Sequence, residues 1–244
     1  MPKLEYQTLN DRAYVALKKC LMSGHFKPGQ VLTIRGLADE YGISPTPIRE
    51  ALQRLIAERS LELLRNRSIG VPHLTGEKLA ELKRIRCVLE GLAGELAVPN
   101  LIAADLSRLS QLIQAIDTDI AANNIAAYLR HNEKFHSLIY ERARSPILLR
   151  IIQDLWTQVG PFLNGLFEDP GYLQRANVGH RKILAAVKRG DTAAVRRSIV
   201  WDISEAAASL MRRFQRMDVK AQQAAAAPPR PPMRSRRNGR IAAI

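Results

Sequence analysis

The sequence predicts a mainly α-helical protein in which an N-terminal winged helix-turn-helix is followed by an all-α bundle of about six helices. A helix–strand–helix–turn–helix–hairpin order occupies roughly the first 70 residues. Helical periodicity then runs almost without a break from residue 75 to residue 217. The composition agrees, because aromatic residues make up only 5% of the 244 residues and the helix formers alanine and leucine are abundant.

The first element is a helix over residues 8–23, where apolar side chains recur at helical spacing. Thr8 or Asn10 can serve as its N-cap. Glycine and proline in SGHFKPGQ end this helix, and a short strand at Val31 and Leu32 follows.

Two short helices joined by a tight turn come next, at Arg35–Tyr41 and Thr46–Ala57. Thr33 caps the first of them and Gly42 ends it. Ser44 can cap the second, whose first turn tolerates prolines because its N–H groups have no partner within the helix. This order is that of a helix-turn-helix.

After these helices, the sequence LELLRNRSIGVPHL (residues 61–74) has two short apolar runs on either side of a basic, polar tip. This pattern predicts a β-hairpin, which would form the wing. The predicted domains are therefore 1–72 for the winged helix-turn-helix, 75–217 for the helical bundle, and 218–244 for a disordered basic tail rich in proline and arginine.

The charge and hydropathy of the chain limit its function classes. A net charge of +14 suits a polyanion, either nucleic acid or an anionic membrane, although a basic protein without such a partner is the alternative. The first residues are too polar for a signal peptide, and no apolar run reaches the roughly 18–20 residues that span a bilayer. We expect a cytoplasmic, nucleoid-associated protein with no membrane partner.

DNA reading by a helix-turn-helix needs exposed side chains at the start of its second helix and basic or polar groups nearby for phosphates. Thr46 can contact a phosphate or a thymine methyl, and Arg49 can bind guanine O6 and N7. Alternatively, Arg49 pairs with Glu50 or Glu40 and the motif is only a helical hairpin. The predicted DNA-binding residues are Arg35, Ser44, Thr46, Arg49, Arg54, Arg65, Asn66 and Arg67.

Candidate ligand side chains are spread over three helices of the bundle. Asn132 and His136 are four residues apart and share a helix face, while His180 and Asp202 lie in later helices. Facing helices of a bundle hold metals in this way, and imidazole with carboxylate suits Zn²⁺, Ni²⁺ or Mn²⁺. Spacing alone favours the alternative that these are ordinary surface or core residues.

A resemblance strengthens the DNA-reading interpretation. Residues 32–71 closely resemble the winged-helix domain of GntR-type bacterial transcription regulators. The run from Ser44 to Leu52, SPTPIREAL, matches their Ser-x-Thr-Pro-Val-Arg-Glu-Ala-Leu hallmark. Many members have arginine where this chain has Pro45, so the resemblance does not specify the operator sequence.

The bundle is similar to the all-helical FCD effector domain of the FadR-type branch of that family. The similarity is carried by IRCVLEGLAGELA, NEKFH, GHRKIL and RGDTAAVRRSIVWDI. Members bind a divalent metal through one aspartate and three histidines, and the metal helps to anchor a small carboxylate effector.

By position, the resemblance implies Asn132, His136, His180 and Asp202 as metal ligands and effector-binding residues. Asparagine replaces the usual aspartate and Asp202 the last histidine, so one carboxylate and two imidazoles remain. The same resemblance makes Arg86 the candidate clamp for an effector carboxylate. The alternative for Arg86 is a structural pair with Glu90, four residues later.

The resemblance implies a transcription regulator, more often a repressor in this family, and not an enzyme. Its partners would be a double-stranded DNA operator, a small carboxylate or sugar-acid effector, and a second copy of the chain in a homodimer. One alternative is a constitutive, architectural DNA-binding dimer with a degenerate pocket. A metal-dependent hydrolase is less favoured, because it would leave residues 31–71 unexplained.

Overall fold

The structure is a computed structural model that describes residues 8–65 and 67–226, apart from the side chains of Pro170 and residues 217–226. The helices are α1 (Leu9–Met22), α2 (Ile34–Tyr41), α3 (Pro45–Ala57), α4 (Gly76–Ala97), α5 (Ala103–Ala121), α6 (Ile125–Glu141), α7 (Pro146–Val159), α8 (Pro170–Leu173), α9 (Val178–Lys188) and α10 (Thr192–Ala226). The strands are β1 (Val31–Leu32), β2 (Glu62–Leu63) and β3 (Ile69–Gly70), and 3₁₀ segments span Val98–Asn100 and Gly160–Glu168.

The N-terminal domain has its own hydrophobic core, built where α1 and α3 cross. Thr8 begins α1 with a capping box, in which its hydroxyl accepts from the Asp11 N–H and the Asp11 carboxylate accepts from the Thr8 N–H. The predicted hairpin forms from β2 and β3, with Leu63 opposite Ile69. β1 adds to β3, so the wing is a three-stranded antiparallel sheet in the order β1-β3-β2.

The second domain is a bundle, and the predicted fold class is confirmed. Long helices α4 and α10 pack along each other, α9 packs on α10, and α5 pairs with α6. α4 and α10 approach closely at Gly94, where a Cβ would lie 2.3 Å from Ile199 Cδ1. Gly160 and Pro161, which are a helix-breaking pair, convert the end of α7 into a 3₁₀ segment.

The C-terminal boundary differs from the prediction. α10 continues to Ala226 instead of giving way at residue 218 to a disordered tail. The segment VKAQQAAA contains only good or neutral helix formers, so nothing local stops the helix before the first proline pair. The rest of the tail, residues 227–244, lies outside the described residues.

The two domains dock through α1 and the loop after α3. Ser60 and Thr157 share a buried 2.7 Å hydrogen bond across the interface. A Cβ on Gly160 would lie 2.2 Å from the Leu21 carbonyl oxygen, so only glycine permits this approach of α1 to the 3₁₀ segment. Within the span from residue 8 to residue 226, apart from Asn66, no helix is apolar over the length that crossing a membrane requires.

Candidate functional site

α3 is held to the domain by a buried stripe and exposes its first turn. Ile48, Leu52 and Leu55 are fully buried beneath it. Seven of the eight predicted DNA-binding residues are exposed: Arg35, Ser44, Thr46, Arg49, Arg54, Arg65 and Arg67. The eighth, Asn66, lies outside the described residues. The arrangement has an exposed helix start and a basic wing tip, as DNA reading requires.

Two side chains at the start of α3 have no competing partner in the described part of the chain. The Ser44 hydroxyl makes no capping bond, although Ser44 is the N-cap. Arg49 forms no ion pair there with either Glu40 or Glu50, and Glu50 accepts a hydrogen bond from Asn10. The helical-hairpin alternative, in which Arg49 pairs with Glu50 or Glu40, is therefore not what this structure shows.

Arg54 is placed differently from the other predicted DNA contacts. Its guanidinium carbon lies 3.6 Å from the centroid of the Tyr14 ring, and its Nε lies 3.3 Å from Glu58 Oε1. Arg54 thus has both a stacking partner and a charged partner within the domain. It lies in the third turn of α3, away from the exposed start of the helix.

In the bundle, three of the four predicted ligands converge. His136 of α6, His180 of α9 and Asp202 of α10 place their candidate ligand atoms within 4.8 Å of one another. The Nε2 atoms of the two histidines are 3.2 Å apart, and His136 Nε2 lies 3.3 Å from Asp202 Oδ2. Both histidines are buried.

The second nitrogen of His180 is held by Asn177. The Asn177 amide donates to the Ile113 carbonyl at 2.8 Å and to Asp117 at 2.9 Å, so its oxygen must face His180 Nδ1 at 2.8 Å. His180 Nδ1 therefore carries the proton and donates. Its Nε2 is left with a lone pair directed at the cluster.

His136 is oriented by a longer network. Tyr140 donates to the Glu90 carboxylate at 2.7 Å, so the phenol oxygen is free to accept from His136 Nδ1 at 3.1 Å. Glu90 is fully buried and also accepts from Trp156 Nε1 at 3.1 Å and from Arg86 Nε at 2.6 Å. Arg86 therefore forms the structural ion pair with Glu90 that was the alternative to a role as effector clamp.

The two imidazoles consequently direct their Nε2 lone pairs at each other and at the Asp202 carboxylate. Burial lowers the pKa of His180 to about 4, so this side chain is neutral near pH 7. Burial would raise the pKa of Asp202, but the adjacent His180 and His136 hold it below its usual range. Three converging lone pairs repel each other unless positive charge lies between them, and a divalent cation or a shared proton supplies it.

Gly179 determines how close Asp202 comes to α9. A Cβ at position 179 would lie 2.0 Å from Asp202 Oδ1 and 2.7 Å from its carboxyl carbon. No other residue type could occupy this position without moving the carboxylate. The GHRKIL segment thus contributes two things to the site: the His180 imidazole, and a glycine that leaves room for the Asp202 carboxylate.

Asn132 and Arg86 line a small cavity beside the cluster, together with His136, Trp156 and Asp202. The Asn132 amide has no hydrogen-bond partner among the described residues, so it remains available to a ligand. The cavity volume is about 20 Å³, which accommodates a water molecule or an ion but not an organic acid.

Sequence reasoning missed the residues that orient the histidines. Tyr140 and Asn177 lie four and three residues from His136 and His180, which is one helical turn in each case. Glu90 was considered only as a partner of Arg86. A charged residue on the apolar face of α4 is the signal that could have marked it as the centre of a buried network.

Comparisons with known proteins place both domains. The family described as "Bacterial regulatory proteins, gntR family" matches residues 9–71, and the FCD domain matches residues 81–201. The HTH-type transcriptional regulator McbR of Escherichia coli (strain K12) is 32% identical over 216 residues, covering 88% of this chain and 98% of that protein. The gluconate operon transcriptional repressor of Bacillus subtilis (strain 168) is 26% identical over 152 residues, covering 62% of this chain and 60% of that protein.

Solved structures agree. E. coli McbR/YncC matches with a TM-score of 0.74 and 32% identity, over 90% of this chain and 100% of that chain. A putative transcriptional regulator GntR from Rhodococcus sp. RHA1 shares the fold. It matches with a TM-score of 0.66 and 22% identity, over 83% of this chain and 97% of that chain. With both domains matched in order, the chain belongs to the gntR family of bacterial regulatory proteins, in the FadR-type branch that carries an FCD domain.

Proposed function

We propose that this DNA-binding transcription regulator is a homodimeric repressor whose operator affinity changes when a small carboxylate-type metabolite, such as a sugar acid, binds to the bundle together with a divalent metal. The observation that carries this proposal is the buried His136–His180–Asp202 cluster, in which both histidines have their Nδ1 atoms occupied by acceptors. A histidine held by its other nitrogen is the usual arrangement around a protein-bound metal.

The residues that would hold the metal are His136, His180, Asp202 and the free amide of Asn132. Their donors suit Zn²⁺, Ni²⁺ or Mn²⁺, although an amide oxygen is the weakest of the four ligands. A bound ion would supply a fixed positive charge able to anchor an anionic group. The protein contributes the burial of the site, the tautomer of each histidine and the position of the carboxylate.

An organic effector at this site would have to displace its walls, because the cavity holds only a water-sized species. The walls belong to different helices: Arg86 lies on α4, Trp156 on α7 and Asp202 on α10. Effector binding would therefore move helices relative to one another. This is how a small ligand could act on a domain that it does not contact.

α7 is the helix best placed to transmit such a movement. Trp156 donates to Glu90 on the ligand side, and the next residue, Thr157, bonds to Ser60 of the DNA-binding domain. A rotation of α7 would shift the winged helix and alter the spacing of the two α3 helices in a dimer. Half-sites on one DNA face lie about 34 Å apart, and a coupling of roughly 1–3 kcal/mol would suffice for regulation.

The proposed dimer has a suitable surface on α4. Ile85, Val88, Leu92 and Leu96 are 37–56% exposed and recur at three- and four-residue spacing on one face. A stripe of this kind on an outer helix is typical of a surface that pairs with an identical copy. Val88→Glu should shift the protein from dimer to monomer in sedimentation velocity, whereas a persistent dimer would exclude this surface.

Ligand binding can be tested by thermal unfolding of the purified protein, after chelation, against divalent metals crossed with organic and sugar acids. A ligand at 100 times its Kd adds about 2.7 kcal/mol to the free energy of unfolding, which is visible as a melting shift. The shift should disappear in His180→Ala and persist in His131→Ala, a control on α6 outside the cluster. If no metal or acid raises the melting temperature, the constitutive, architectural role is favoured instead.

DNA reading can be tested with operator fragments selected from the genome of the source organism. Arg49→Ala should weaken operator binding by roughly 1–3 kcal/mol, about fivefold to 150-fold, and should relax the preference for the guanine it contacts. Arg65→Ala on the wing should weaken all sequences alike if it contacts phosphate. Unchanged operator affinity in Arg49→Ala would show that α3 does not read the bases as proposed.

A further inference from the structure

A cleft with a volume of about 780 Å³ lies between the DNA-binding domain and the bundle. It is bounded by the end of the α1–β1 loop, the interdomain linker, the 3₁₀ segment after α7, and α10. It shares no lining residue with the small cavity at the histidine cluster. The volume is within the 300–1,000 Å³ typical of small-molecule sites, which are frequent at domain interfaces.

The charged groups of the cleft favour an anion. Lys27 and His73 are exposed at its rim, and among the described residues neither side chain has a hydrogen-bond or ion-pair partner. Arg213 is paired with Glu168 at 2.7 Å, so this ion pair leaves no net charge. The unpaired Lys27 ammonium therefore makes the cleft net positive, and the His73 imidazole, which lines the same cleft, can donate a hydrogen bond to an anion.

The remaining walls of the cleft are apolar. Phe162 is buried in its floor, and Phe214, Leu74 and Ile125 are partly buried around it. Two aromatic rings near a free ammonium are suited to a molecule with an aryl or alkyl body and one negative group. A polyhydroxylated sugar acid or inorganic phosphate would leave these apolar walls uncovered.

The cleft also contains the contacts that hold the domains together on this side. Asn164, which lines it, donates to the Gly24 carbonyl of the DNA-binding domain at 2.7 Å. The His73 ring lies against Gly29, where a Cβ would be 2.6 Å from Nε2. Gly24 and Gly29 have positive φ angles of 65° and 74°, so the loop between them follows a backbone path that other residues rarely adopt.

We infer that this cleft is a second ligand site, separate from the histidine cluster, that binds a small amphipathic monocarboxylate. The carboxylate binds Lys27 and His73, and the apolar body packs on Phe162 and Phe214. A ligand there contacts Asn164 and thereby changes the free energy with which the winged helix docks on the bundle. This inference does not depend on the metal or effector proposed for the bundle core.

The test uses the full-length protein without DNA and isothermal titration with 4-phenylbutyrate, an aryl monocarboxylate. We expect saturable binding of one molecule per chain. Two control compounds have the same phenylbutyl body: 4-phenylbutan-1-ol is uncharged, and 4-phenylbutylamine is positively charged. Both should bind at least tenfold more weakly than 4-phenylbutyrate. Equal binding of all three, or no saturable binding of 4-phenylbutyrate, would overturn the inference.

Variants then locate the site. Lys27→Glu and Phe214→Ala should each raise the Kd at least tenfold, whereas Lys188→Glu, the same charge change at the exposed end of α9, should leave it within twofold. The Lys27 side chain has no structural partner among the described residues, so Lys27→Glu tests the site even if Phe214→Ala does not fold. Binding that is lost in Lys188→Glu or retained in Lys27→Glu would overturn the assignment to the cleft.

Discussion

Replacing Glu90 by glutamine tests whether the buried network behind His136 stabilises the fold. Glu90 is fully buried and accepts hydrogen bonds from Arg86, Tyr140 and Trp156. Glutamine has nearly the same shape, but it removes the negative charge and replaces an acceptor oxygen by an NH₂ group. Arg86, itself only 8% exposed, would then carry a buried charge without a counter-charge.

The cost follows from these contacts. Removing one partner of a buried ion pair costs about 3–5 kcal/mol, because the other charge stays buried and uncompensated. The new NH₂ group would also face a donor, either the guanidinium or the Tyr140 and Trp156 pair, and an unmet buried donor costs about 1–3 kcal/mol. Side-chain relaxation offsets part of the sum, so we expect Glu90→Gln to lower the free energy of unfolding by about 3–5 kcal/mol.

Urea unfolding followed by circular dichroism at one fixed protein concentration measures this change, since dimerisation contributes to apparent stability. Arg86→Met and the double variant with Glu90→Gln complete a mutant cycle. The double variant removes both charges, so it should lose less stability than the two single losses added together. Losses that simply add, or a loss below about 1 kcal/mol in Glu90→Gln, would refute the reasoning.

Two further predictions concern the metal cluster and the acid stability of the bundle. Gly179→Ala should abolish any metal-induced melting shift, because its Cβ displaces Asp202, and should itself cost about 1–3 kcal/mol. Gly76→Ala, whose Cβ would make only ordinary contact, should retain the shift, and an intact shift in both would show that Asp202 need not be held so closely. A hydrogen bond from Arg212 lowers the pKa of Asp169 to about 2, so this carboxylate stabilises the fold above its usual pKa and loses that effect as pH falls toward 2. The stability difference between the wild type and Asp169→Asn, measured by urea unfolding, should therefore be largest above about pH 4 and shrink towards pH 2, and a difference independent of pH would contradict the pairing.

Local signals determined the helix-turn-helix from the sequence alone. The observed bounds of α2 and α3 differ from the predicted ones by one residue, because Thr33, Gly42 and Pro45 act on the chain within one helical turn. The resemblance supplied the candidate ligands, and the structure brings His136 and His180 together with a carboxylate as that resemblance implies. Metal binding itself stays a prediction.

Only the tertiary structure decided the partners of the buried polar groups. From the sequence, Arg86 could bind either an effector carboxylate or Glu90. The structure shows Glu90 held by Trp156 and Tyr140, which lie 66 and 50 residues away along the chain and meet it through helix packing. The stacking of Arg54 on α1 and the cleft between the domains have the same origin. Caps and turns depend on residues that are neighbours along the chain, so local sequence patterns predict them. Which distant side chains share a cavity depends on how the helices pack, and local patterns do not predict that.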